Sequence, residues 1–189
     1  MVFLGNILMT VLADKDLRKN AAKALQTGAN FVAKAFDDDG DGNIEAEDFT
    51  EALELQKNFV SLMALMANID GSISDEEESQ VYDIIEDLFI GSEEEEALFS
   101  QELLNSAGVK KRDVTNQLMS TFEKPYSLTA IVGAAKKYEL ESTMYTYACI
   151  LAYADKDVHP KEREFLDTLS EKLELNRIEK KKMEKEIFS

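Results

Sequence analysis

The chain is short of the residues that build covalent or soft-metal frameworks. One cysteine, Cys149, stands among 189 residues, which excludes an internal disulfide and any multi-cysteine zinc site. A single histidine, His159, argues against a zinc or copper function as well. Two prolines and eight glycines are few for a loop-rich or disordered chain, and 44% apolar residues suffice to bury a core. Positive charge is scarce as well. With 21 basic against 38 acidic residues the net charge is −17 and the pI near 4.4. That balance argues against a nucleic-acid backbone or an anionic membrane surface as partner and leaves cations and basic proteins.

Long apolar runs are missing too. The opening "MVFLGNILMTVLADKD" has no basic leader, breaks at Asp14 and is too short to span a bilayer. It reads as a docking helix rather than a membrane-surface anchor, and a cytoplasmic location is expected. Alternation of period two, the mark of a strand, is absent. Helical spacing is present throughout. Leu17, Ala21, Leu25, Val32 and Phe36 recur at steps near four or seven. Phe49, Leu53, Val60, Ala64 and Ala67 do the same up to "NIDGS", so one helix joins two acidic loops. Further helices are read in "DEEESQVYDIIEDLF", in "SEEEEALFSQELLNSAG" with Ser92 as cap and Gly108 as stop, in "KRDVTNQLMSTF", and, after a turn at Pro125, in "LTAIVGAAKKYEL". "STMYTYACILAYA" and "PKEREFLDTLSEKLEL", leading into a charged tail helix ending near Phe188, complete the chain. The expected class is all-α.

The segment "FDDDGDGNIEAEDF" carries the most specific pattern. An EF-hand calcium loop needs oxygen ligands at positions one, three, five, seven, nine and twelve, with glycine at six for the sharp turn. Asp37, Asp39 and Asp41 fill the first three, Gly42 the turn, Asn43 a backbone carbonyl, Glu45 the ninth place and Asp48 the last. Ile44 sits at the apolar eighth position, and Phe36 and Phe49 flank the loop. Without a cation these carboxylates repel one another, so a cation should order the loop. The other reading is a solvated helix corner whose acids only cap the next helix. Asp48 is one methylene shorter than the glutamate that closes calcium loops bidentately. Weaker calcium binding and a smaller preference over magnesium are expected from it. The loop is read as solitary, so a structural or tuning role is expected before the opening of a Met-rich groove.

A repeat appears when "LMALMANIDGSISDEEESQV" is laid on "YACILAYADKDVHPKEREFL". An offset of 85 aligns Ala67 with Ala152, Asp70 with Asp155, Ile73 with Val158, Glu77 with Glu162 and Val81 with Leu166. Each unit is helix, acidic turn, helix, which suggests a bundle with two pseudo-repeated units about a pseudo-twofold relation. The turns echo only the second half of the EF-hand loop, so neither is a complete cage. Two readings stay open. Ser74 with Glu77, and Pro160 with Glu162, are helix-opening pairs that cap; alternatively Asp70, Glu77, Asp155 and Glu162 share one acidic metal site. His159 is read as a loop or capping residue. Cys149, Tyr145, Tyr147 and Tyr153 are read as core or rim packing.

"LMALMANIDGSISDEEE" and "ACILAYADKDVHPKEREFLDTLSEKLEL" resemble the paired motifs of TerB-like proteins, the tellurite-resistance protein B group. The shared pattern is an alanine-rich helix, Ala-Asp-Gly-x-Ile, and a glutamate opening the next helix; Ile69 and Lys156-Asp157 depart from it. The resemblance covers roughly Phe59 to the C-terminus. It implies an all-helical acidic bundle without enzymatic chemistry, a divalent-metal site at Asp70, Glu77, Asp155 and Glu162, and association with stress-response or membrane-linked assemblies. The expected organisation is residues 1–58 as N-terminal helix plus EF-hand and 59–189 as the TerB-like bundle.

Three functions follow from these readings. The first is a non-catalytic module binding calcium, or magnesium in its place, that docks an unidentified protein in a stress or tellurite-resistance setting. The second is a metal-independent acidic docking protein. A metal-dependent hydrolase is the third, and it lacks the Glu-x-x-His ligation that helical di-metal sites use.

Overall fold

Two helices that are apolar on nearly every side form the centre of the molecule. The structure, a computed structural model, describes residues 46–69, 85, 104, 108–153 and 158–188. Among these, six helices and no strand are present: α1 Ala46–Ala67, α2 Lys111–Glu123, α3 Leu128–Lys137, α4 Glu141–Ala152, α5 Pro160–Lys172 and α6 Arg177–Phe188. The all-α class follows. Residues 1–45, which include the expected first helix and most of the acidic loop, lie outside the described residues.

α1 contains no glycine or proline, so nothing interrupts its hydrogen-bond ladder. It runs unbroken across residue 58. The spacing of Phe49, Leu53, Val60, Ala64 and Ala67 shows one apolar stripe, and all five are buried. Leu55, Gln56, Asn58, Phe59, Ser61, Leu62, Met63 and Met66 are buried as well. A helix buried all round is a core helix, not a surface one. Its neighbours are α2, α3 and α4. α4 is similar, with every residue from Tyr147 to Ala152 buried, and α1, α3, α5 and α6 pack around it. Phe59 and Tyr147 meet edge to face with ring centroids 5.3 Å apart, and Tyr147 donates its hydroxyl to Met63 Sδ at 3.8 Å.

Local chemistry sets the helix ends. Asn68 closes α1 by donating Nδ2 to the Ala64 carbonyl at 2.8 Å. Gly108 takes φ 67°, and the Val109 N–H reaches back to the Leu104 carbonyl at 2.9 Å, so the expected glycine stop is present. Ser127 caps α3 by accepting from the Ala130 N–H at 3.3 Å. The expected "LTAIVGAAKKYEL" helix ends three residues early, because Glu139 adopts φ 55° and the Leu140 N–H bonds to the Ala135 carbonyl at 2.8 Å. α5 ends in the same manner: Glu174 has φ 59° and the Leu175 N–H bonds to the Ser170 carbonyl at 3.1 Å. Both are Schellman-type ends with glutamate where glycine is usual, and burial of Leu140 secures the first.

Candidate metal centre

The acids singled out in the sequence divide by what the structure describes. Asp37, Asp39, Asp41, Asn43 and Glu45 lie outside the described residues, as do Asp70, Glu77 and Asp155. Asp48 falls in the first turn of α1. The last position of an EF-hand loop stands at that point, where the exiting helix opens. Among the described residues, no group of three or more His, Cys, Asp or Glu could hold a metal ion.

Glu162 is described, and it caps. Pro160 supplies the first residue of α5, where its fixed φ and missing N–H cost nothing. His159 Nδ1 accepts from the Lys161 N–H at 3.3 Å, while Glu162 Oε2 accepts from the His159 N–H at 2.8 Å. These bonds satisfy backbone donors that a helix start otherwise leaves open. Because Nδ1 accepts, the neutral ring carries its proton on Nε2. Glu162 is only 4% exposed, and the positive end of the α5 dipole offsets part of the cost of burying its charge. The capping reading is therefore realised at this turn, and it occupies one carboxylate oxygen.

The directions of α1 and α4 fix the end of the bundle at which each of them finishes. Tyr138, three residues before α4, donates its hydroxyl to Glu51 near the start of α1. Tyr147 in mid-α4 reaches Phe59 and Met63 further along α1. The two helices thus run in the same sense. Ala67 and Ala152, their last residues, emerge at the same end.

Two polar clusters escaped sequence reasoning. In the first, Glu51 accepts from both Lys137 Nζ and Tyr138 Oη, and Lys137 Nζ also donates to Tyr138 Oη at 2.8 Å while lying 4.5 Å from that ring's centroid. The lysine, followed by the phenol, holds the Glu51 carboxyl below the usual range. Burial, followed by the bond to Glu51, raises Tyr138. In the second, Tyr145 donates to Glu184 Oε1 at 2.9 Å, and burial pushes the Cys149 thiol up to about 12. A thiol so buried stays protonated and inert. Both clusters join residues far apart in the chain, so no short motif announces them.

The described residues define the class, an all-α bundle of helices around two buried ones, and none of its described helices is long and apolar enough to cross a bilayer. The chain belongs to the family described as tellurite resistance protein TerB, which matches residues 56–185. No curated protein and no solved structure matches it.

Proposed function

We propose that this chain is a non-catalytic helical protein that binds divalent cations and serves as a scaffold or interaction module in tellurite resistance or a related stress response. Calcium, or magnesium in its place, would be held by Asp37, Asp39, Asp41, Asn43, Glu45 and Asp48. A second site would draw on Asp70, Glu77, Asp155 and Glu162. Membership of the TerB family carries the reading. The common direction of α1 and α4 supports the second site, since Asp70 and Asp155 each follow the end of one of these helices by three residues. Three residues reach about 10 Å at most, which keeps both acids near the same end of the bundle. The oxygen-only donors suit hard cations. Glu162 brings one oxygen already bonded to the His159 N–H.

The test is a calorimetric titration of metal-stripped protein with calcium, then magnesium, beside Asp37→Ala and the pair Asp70→Ala with Asp155→Ala. Loss of one calcium site in Asp37→Ala supports the loop. A second site lost only in the paired variant supports the acidic turns. Absence of any heat in the wild type overturns cation binding and returns the protein to metal-independent acidic docking.

A further inference from the structure

The acid in this chain is unevenly placed. Residues 1–107 hold 24 of the 38 acidic residues and 6 of the 21 basic ones, so that part carries −18 and residues 108–189 carry +1. The net charge therefore says little about the local field at the C-terminal helix.

α6 opens on a cap that uses its first acid. Asn176 Oδ1 accepts from the Ile178 and Glu179 N–H groups at 3.0 and 2.9 Å, and Glu179 Oε2 accepts from the Asn176 N–H at 3.4 Å. The inner side of α6 is engaged with the bundle. Glu184 accepts from Tyr145, Thr146 donates to Met183 Sδ at 3.4 Å, and Lys180 pairs with Asp167. At 100° per residue, Arg177, Ile178, Lys181, Lys182 and Lys185 fall in one outer sector of about 140°. Glu179 and Glu186 stand beside that sector, not in it. All five are exposed, and among the described residues the four cations make no ion pair. Ile178, between Lys185 and Lys182 in the sector, is 82% exposed, the only large apolar side chain so exposed among the described residues.

We propose that this outer face of α6 is the docking surface for the acidic part of a second copy of this chain. Charge complementarity favours that occupant, because each copy carries an acidic part of −18 together with this basic face, and among the described residues nothing covers the face. An apolar anchor inside a charged rim is the anatomy of a protein contact. A bilayer would require a broad apolar face, and one isoleucine does not supply it. Such a contact joins unlike surfaces, so it either adds copies head to tail or closes a twofold pair in which each copy docks on the other. Whole molecules of charge −17 repel one another at low salt, whereas a local contact survives moderate screening. Association should peak near 0.1 M salt, where the Debye length is about 10 Å, and vanish near 1 M, where it is about 3 Å.

Sedimentation velocity of the full chain across this salt range tests the proposal. The expected result is a concentration-dependent rise in mass at intermediate salt. It should weaken roughly tenfold or more in the triple variant Lys181→Glu, Lys182→Glu, Lys185→Glu. A control triple, Lys110→Glu, Arg112→Glu, Lys124→Glu, changes the net charge equally away from α6 and should associate nearly as the wild type does. Circular dichroism melting shows whether each variant keeps its fold. Ile178→Ala, which adds no charge, should weaken association several-fold if the face makes a specific contact. A monomer at every salt concentration overturns the proposal, and so does equal loss in both triple variants. Binding of duplex DNA or phosphatidylserine vesicles that requires Lys181, Lys182 and Lys185, without self-association, overturns it in favour of those partners.

Discussion

α1, of 22 residues, and α6, of 12, are held in opposite ways. α1 is buried from Leu55 to Ala67 on nearly all sides and, among the described residues, touches three other helices. α6 leans mainly on α4, through a tyrosine–glutamate bond and a hydroxyl–thioether contact, with a lysine–aspartate pair to α5. Hydrophobic burial scales with area, and polar surface contacts contribute little net free energy. Removing a side chain from α1 should therefore damage the whole fold, while removing one beneath α6 should loosen that helix alone.

The largest effect is expected at Phe59, fully buried against Tyr147. Phe59→Ala should lower the unfolding free energy by about 3–5 kcal/mol, read from the urea midpoint at constant slope. A loss below about 1 kcal/mol would mean that α1 is not the centre of the core. Tyr145→Phe removes only the hydroxyl that binds Glu184 and should cost about 0.5–1.5 kcal/mol. Amide exchange should then rise in α6 first, leaving α1 protected; equal acceleration in both helices would erase the contrast.

The smallest effect concerns pH. Glu51 has a folded pKa below its ordinary value because of Lys137 and Tyr138. Its contribution is complete above the unfolded carboxylate range and is lost as pH falls through the lower folded value. Lys137→Met should be less stable than the wild type at neutral pH, with the gap closing as pH drops below about 4. The alkaline side runs the other way. Burial, with Glu54 as acceptor, pushes Tyr126 up to about 12, so its contribution is whole below pH 10 and disappears as pH rises through 12. Urea midpoints from acid to alkali check both limbs.

Much of the helical order was legible because it is written in local spacing. The apolar period of α1, the Gly108 stop, the Ser-Leu start of α3 and the Pro160–Glu162 opening of α5 need only neighbouring residues. The misses share one cause. Gln56 reads as a polar position on an amphipathic helix, yet it is buried, 1% exposed, and its Oε1 has no hydrogen-bond partner among the described residues. Periodicity does not reveal how many helices surround α1. Glu51 with Lys137 and Tyr138, and Tyr145 with Glu184, join residues 86, 87 and 39 apart in the chain. At the metal centre only Glu162 among the described candidates shows its bond, and it shows a cap.

The sequence by itself determined the all-helical class, the acidic balance, most helix ends and the kinship with TerB proteins, since each depends on composition or on residues within a few positions of one another. Tertiary structure decided that α1 and α4 run in the same sense, that both are enclosed, and that the basic side of α6 faces outward. Those outcomes depend on which apolar faces find one another across the chain, and pairing at a distance leaves no period in the sequence.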